Sequence, residues 1–545
     1  MWTKRIVATL DEGSPLMKLA AVAVVAVLVA PGVARAADAT LTMREVPLGG
    51  GRALAAAAPP RRFDLVGLHW RGSGTVFFRT RSLGGRWSAW HAAGPEAEDL
   101  PNRASVETGR ARGWRLGNPY WTGPADAIGY RLRGKVLRLR AYFVRSPTEL
   151  RPLRTLSIAA SPAIVPRLGW NANEKIRRDK PRYAAAVRFA VVHHTAGSNS
   201  YSPRQSGAIV RAIELYHVLG NGWDDIGYNF LVDKYGQIFE GRYGGVARPV
   251  VGAHAQGFNT GSVGVAVLGN YSSRPPSAAA QAALENLLAW RLDLAHVDPR
   301  SSLTWLSGGN PRFPAGAPVF LRTISGHRDT GFTACPGGAL YARLPTIAKV
   351  VGATGLPKLY APNAKGSVPG RVRFTGRLSS PLPWSVSVTN ARGEAVAVGS
   401  GIGTAVDWTW DASTVPKGRY YWMIAAGPGL RPATGTIGAK PPPFKLTDLA
   451  ATPDVVTPNG DGVDDSSTIS YSVSAPAAVT ATLVDATGAT VATLFDGFVG
   501  VGPQSFVFDP AAVPDGTYQI VLVATSADGV RTTASVFVAV TRAAT

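Results

Sequence analysis

The chain has 545 residues, 46% of them hydrophobic, with 14 tryptophans and a formal net charge of +22. It is too long for a single hydrophobic core and too apolar for a disordered polymer. Its one cysteine excludes an internal disulfide framework.

Residues 19–30 (LAAVAVVAVLVA) follow Lys18 and precede Ala34-Arg35-Ala36. A basic flank, an apolar run and a small-residue cleavage site, in that order, read as a secretory signal peptide over 1–36. The run is shorter than the roughly 20 residues a membrane span needs. The mature chain is therefore expected to be secreted, cell-wall associated and monomeric, with no integral membrane span. Residues 37–166 carry 20 basic and 9 acidic side chains, whereas 447–545 carry 2 and 10. Outside the cell, a basic front suits anionic wall polymers as partners, not nucleic acid.

Residues 37–61, rich in Ala, Gly and Pro, read as a flexible segment. In 62–160 the stretches 63–70, 75–80, 86–91 and 136–144 alternate apolar and polar residues between glycine-rich turns, predicting an all-β module. Trp70, Trp87, Trp90, Trp114 and Trp121 are expected in its core in preference to a sugar-binding face. The pattern changes over 161–356. Strands are predicted at 187–192, 226–232, 237–241 and 262–268. Helices are predicted from Ser202-Pro203, from Ser277 to about His296, and after Pro336. Strands mixed with helices predict a central α/β domain, a mixed sheet with flanking helices.

Beyond 356 the chain is β again, and it repeats. Asp411, Val415, Pro416, Gly418 and Tyr420 recur as Asp509, Val513, Pro514, Gly516 and Tyr518. Two β-sandwich modules are expected, 357–440 and 447–545, joined by a proline-rich hinge at 441–446. They resemble the immunoglobulin-like module of the FlgD family. The cluster from Asn459 to Asp465 (NGDGVDD) reads as an Asn-Gly-Asp-Gly turn or as a weak calcium loop.

Cys335 stands eight positions after His327 in the stretch 325–338 (SGHRDTGFTACPGG). A lone thiol in an exported chain makes best sense as a metal thiolate, because zinc takes cysteine sulfur and histidine nitrogen together. His193, at the C-terminal end of a predicted central strand, is the candidate third ligand. His194 should then point to the opposite face of that strand and pack.

Several motifs occur in order: Val192-His193-His194-Thr195-Ala196, Gly222-Trp223 with Ile226-Gly227-Tyr228-Asn229-Phe230, Gly241-Arg242, Gly252-Ala253-His254-Ala255, Asn259, Gly264-Val265, Gly326-His327-Arg328-Asp329 and Cys335-Pro336-Gly337. Together they resemble the peptidoglycan recognition protein and type-2 N-acetylmuramoyl-L-alanine amidase family, over about residues 160–350. The resemblance implies one Zn2+ held by His193, His327 and Cys335, with Tyr228 and Thr333 as catalytic residues. It implies substrate-binding roles for His217, Trp223, His254, Asn259 and Arg242, with peptidoglycan as the partner. The expected activity is zinc-dependent hydrolysis of the lactyl-L-alanine amide bond. The alternative is a non-catalytic peptidoglycan-binding protein on the same fold, although such members usually lack the cysteine that this chain keeps.

Overall fold

The structure, a computed structural model, describes residues 39–48, 53–54, 62–94, 99–109, 113–148, 153, 155, 161–439, 443–526 and 530–542. The expected signal peptide lies outside the described residues, as do Pro441 and Pro442 of the expected hinge. Among the described residues no helix is long and apolar enough to cross a membrane.

The central domain is built on a six-stranded mixed sheet. Its strands are β1 (Ile164–Val165), β2 (Phe189–His194), β3 (Phe230–Val232), β4 (Ile238–Glu240), β5 (Ser262–Val267) and β6 (Ile324–Gly326). They lie in the order β6-β2-β5-β3-β4-β1, parallel throughout except for the β3–β4 hairpin. Every residue of β2 and β5 is buried, which explains their continuous apolar runs: a central parallel strand is covered on both faces. Helices α2 (Ala278–Asp293) and α3 (Leu344–Ala353) pack Leu284, Leu287, Leu288 and Ile347 onto Val192, Val263 and Val265. Ser277 caps α2 as expected, its hydroxyl accepting from the Ala280 N–H at 3.1 Å.

The helix predicted from Ser202 begins as one 3-10 turn and continues as α1 (Ser206–Leu215). It ends in a π turn over Tyr216–Gly220 that buries His217. The strand expected over 226–232 is shorter, since Asn229 spends its amide on the Val250 carbonyl and the Gly264 N–H.

The N-terminal module is an antiparallel sheet whose long strands are Phe63–Arg71, Thr75–Ser82, Tyr120–Arg133 and Arg138–Arg145. Thr40–Glu45, read above as part of a flexible segment, instead forms an edge strand on Arg138–Arg145. Its Thr-Leu-Thr-Met alternation has the strand period. Strand Phe63–Arg71 is buried on both faces because it serves two cores. Val66, Leu68 and Trp70 face the module's own interior, while Leu65 joins Ile209, Ile213 and Tyr216 of the central domain. Gly67 is required there, since a Cβ would stand 1.9 Å from the Tyr216 ring. His69 contacts Asn221 Oδ1 at 2.9 Å across the same boundary. Of the five tryptophans expected in the module's core, two are buried, Trp70 in that core and Trp121 in the one shared with the central domain. Trp87 is exposed and Trp90 and Trp114 are half-buried, with Arg79, Arg131 and Arg140 stacked on their faces.

The 357–440 module is not two sheets. Arg371–Thr389 is long enough to pair along its length with Ala395–Asp411 and, in separate halves, with Leu359–Gly366 and Arg419–Ala426. One sheet thus folds over a core of Phe374, Trp384, Val386 and Trp410. In 447–545 a three-stranded and a five-stranded sheet enclose Ile469, Tyr471, Val479 and Leu522. The sequence repeat has a common structure: Tyr420 and Tyr518 each donate a 2.8 Å hydrogen bond to the carbonyl of the proline four residues earlier. In the 459–465 loop the Asp465 carboxylate accepts from the N–H groups of Asn459, Gly460 and Gly462. That arrangement is a self-satisfied turn and lends calcium no support.

Candidate active site

Val192 of β2 pairs in register with Gly326 of β6. The next residues, His193 and His327, therefore leave two adjacent parallel strands side by side, with ring centroids 4.5 Å apart. The chain after His327 makes a tight loop, closed by the Arg328 N–H on the Cys335 carbonyl at 2.9 Å. Asp329 Oδ2 accepts from the Gly326 N–H, which fixes the loop's start. Cys335 returns beneath the strand ends, where its Sγ accepts from the His194 N–H at 3.4 Å. Donor atoms of His193, His327 and Cys335 all lie within 4.8 Å of one another, and all three residues are buried. His194 points away, accepting at Nδ1 from the Tyr271 N–H.

These residues fit zinc. Tetrahedral zinc, at roughly 2.0–2.1 Å from nitrogen and 2.3 Å from sulfur, sets nitrogen–sulfur edges of about 3.5 Å. The Cys335 Sγ to His193 Nδ1 separation is 3.7 Å. Burial pushes the His193 pKa down to about 3, so its imidazole is neutral, the form that coordinates. Behind it, His193 Nε2 faces His254 Nδ1 at 3.1 Å, and His254 Nε2 faces Ser262 Oγ at 3.4 Å. The Ser262 hydroxyl donates to the Phe258 carbonyl, so the chain of donors runs consistently away from His193 and leaves its Nδ1 as the coordinating atom.

Tyr228 lies beside the ligands, its ring centroid 5.3 Å from that of His193. Thr333 is at the loop edge, half-buried, with Oγ1 accepting from the Cys335 N–H. The residues expected to meet substrate divide into two groups. His217, Trp223 and His254 are fully buried and engaged with protein. His217 Nδ1 accepts from the Gly227 N–H and its ring packs on Trp223 at 4.4 Å, a stack that carries the loop to Tyr228. Asn259 and Arg242 are buried as well, and both are engaged by the N-terminal module. Asn259 Nδ2 donates to the Leu100 carbonyl and to Asn102 Oδ1, and Arg242 pairs with Glu107 at 2.5 Å.

Sequence reading missed one residue of the site. Asp99 is buried with Oδ1 3.1 Å from both His193 Nδ1 and His327 Nδ1, and Tyr228 donates to its Oδ2 at 3.4 Å. Burial pushes its carboxyl pKa up, against the pull of His327 and the Tyr228 hydroxyl. A signal was present: four of the nine acidic residues in 37–166 (Glu96, Glu98, Asp99 and Glu107) fall within one short stretch of a basic module.

One end of the mixed sheet thus brings together two imidazoles from adjacent strands and the thiol of the following loop. Residues 183–338 match the N-acetylmuramoyl-L-alanine amidase family model. Over 183 residues the chain is 30% identical to peptidoglycan-recognition protein SC2 of Drosophila simulans, covering 34% of this chain and 85% of that protein. It is 32% identical over 180 residues to peptidoglycan recognition protein 1 of Bos taurus, covering 33% and 80%. An N-acetylmuramoyl-L-alanine amidase of Sus scrofa is 33% identical over 199 residues, covering 35% of this chain and 28% of that protein. The chain belongs to the family of peptidoglycan recognition proteins and N-acetylmuramoyl-L-alanine amidases.

Proposed function

We propose that the chain is an exported, zinc-dependent N-acetylmuramoyl-L-alanine amidase that cleaves the amide between the lactyl group of muramic acid and L-alanine in peptidoglycan. The observation that carries this reading is the convergence of His193, His327 and Cys335 beside Tyr228. A bare recognition surface has no need of a buried thiolate between two imidazoles.

His193, His327 and Cys335 would hold the zinc ion, which when bound supplies a Lewis acid that polarises a carbonyl and acidifies water. The Tyr228 hydroxyl is placed to donate to the lactyl carbonyl oxygen as negative charge builds on it. One such preorganised donor contributes about 3–4 kcal/mol to lowering the barrier. His254 acts from behind, fixing the His193 tautomer and ring angle, and Asn259 holds the His254 backbone through its Oδ1. Arg242 is a donor for a stem-peptide carboxylate. Thr333 keeps the Cys335 loop in shape, and its hydroxyl proton remains available to substrate. His217 and Trp223 we assign to positioning Tyr228. The C-terminal modules, read as immunoglobulin-like, space or target the catalytic domain on the wall.

Purified protein should release new L-alanine amino termini from peptidoglycan, lose this activity to a chelator and regain it with zinc. Cys335→Ser should lose stoichiometric zinc and activity together while still sedimenting with cell walls. Release of reducing sugar in place of amino termini would overturn the assignment.

A further inference from the structure

The N-terminal module reaches into the active site. Residues 99–107 cross the central domain beside His193, Asn259 and Arg242, held at four places along their length. Asp99 enters the metal site. The Leu100 and Pro101 carbonyls accept from Asn259 and Gln256. Asn102 Oδ1 accepts from the Gly257 N–H at 3.0 Å. Glu107, buried at the start of the short helix Val106–Gly109, takes Arg242, Arg182 and the Asp224 N–H on its two oxygens. The module that carries this segment shares a hydrophobic core with α1, so its position is fixed from both sides.

Asp99 differs from an ordinary buried acid. Oδ1 is 3.1 Å from two imidazole nitrogens yet accepts no hydrogen bond among the described residues. Its distances to the two nitrogens match the edges of a metal tetrahedron, about 3.3 Å for nitrogen and oxygen donors. Oδ1 of Asp99 thus lies against two of the three clustered donors, the imidazoles of His193 and His327. The other oxygen, Oδ2, meets the Tyr228 hydroxyl.

We propose that residues 99–107 are an intramolecular plug, in which Asp99 sets its carboxyl group against the two imidazole donors and Tyr228 while the rest of the segment occupies Asn259, Gln256 and Arg242, so that the chain is latent until the segment is displaced. The proposal rests on the amidase reading for what it inhibits. Hydrolysis of the amide leaves a lactyl carboxylate and a free amine, and Asp99 presents that same carboxylate to the donors and to Tyr228. Glu107 likewise occupies Arg242, the donor assigned to a stem-peptide carboxylate. A tethered segment acts at an effective concentration of about millimolar. Dilute soluble fragments compete poorly with it, whereas dense polymeric wall competes well.

The test uses the full chain, Asp99→Ala, and the double variant Asn102→Ala/Glu107→Ala, which loosens the segment without touching Asp99. Three quantities are read: hydrolysis of a soluble N-acetylmuramyl tripeptide, visible absorption of the cobalt-substituted proteins, and zinc loss to a chelator. Both variants should hydrolyse the tripeptide at least about ten-fold faster, the factor expected if the open form of the full chain is a tenth or less of the population. The cobalt spectrum should change in Asp99→Ala, and its zinc retention should weaken by about ten-fold or more, at least the scale set by partners outside the ligand shell. An unchanged cobalt spectrum overturns the proposal. So does loss of hydrolysis in Asp99→Ala at full zinc loading, which would make Asp99 a catalytic base. If no variant hydrolyses peptidoglycan but Asp99→Ala shifts the cobalt spectrum and binds the tripeptide more tightly, the amidase reading fails and the plug stands.

Discussion

At the scale of single residues, the proposed amidase reading separates groups that would hold a metal from groups that would act on substrate, and substitutions should separate them too. The Tyr228 hydroxyl meets Asp99 Oδ2, whereas His254 holds His193 and the Arg328–Cys335 closure holds the loop. Tyr228→Phe removes one hydroxyl from a fully buried ring and leaves its packing against His193 and His217 in place. The variant should bind zinc with full stoichiometry and lose roughly 10²–10³ in kcat, the cost of one oxyanion donor. Zinc content and single-turnover hydrolysis check this. Parallel loss of zinc and rate would place Tyr228 among the residues that build the metal site.

At the scale of elements, close approach explains the glycines of the central sheet. Gly264 of β5 lies against the His254 ring, and a Cβ there would stand 2.3 Å from His254 Cδ2. The ring cannot yield freely, since it is fully buried and engaged at both nitrogens. Gly264→Ala should therefore push His254 off His193 and weaken zinc binding by about 10–100-fold, the scale of losing an outer hydrogen-bond partner. The fold should survive, because β5 stays paired on both sides. Competition with a chelating dye, beside a far-ultraviolet dichroism spectrum, measures both. Such elements also show what was legible in advance. The clustering of His193, His327 and Cys335 was, because each sits at a strand end or on one short loop, where local pattern and position coincide. Strand Tyr120–Arg133 was not, because Gly123 and Pro124 interrupt its alternation, although it runs through both. Asp99 was not, because its partners are brought to it by packing of one module on another. Linear spacing carries no record of that. The single folded sheet of 357–440 was hidden for a related reason: a bend between Arg377 and Leu382 reads in sequence as a break between two strands.

At the scale of the whole chain, charge is distributed by module. Residues 37–446 are strongly basic, while 447–545 carry 2 basic and 10 acidic side chains. Many N-terminal arginines are tied into the surface: Arg79 and Arg131 lie over Trp90, and Arg138 and Arg140 share Glu45. Stacked guanidinium groups keep their charge and hold it in place, so the sheet offers a fixed cationic face. A face of this kind attracts polyanions through long-range forces that salt screens, with a Debye length near 10 Å at 0.1 M and about 3 Å at 1 M. Retention on walls that keep their anionic polymers should fall at least about ten-fold between 0.05 and 0.5 M salt. Walls stripped of those polymers should bind less, with little salt dependence, because only the groove then contributes. Sedimentation of the inactive Cys335→Ser chain with both preparations separates the two contributions without digestion of the wall. Equal, salt-independent retention on both would show that the basic modules have no part in binding and that the central domain alone finds the wall.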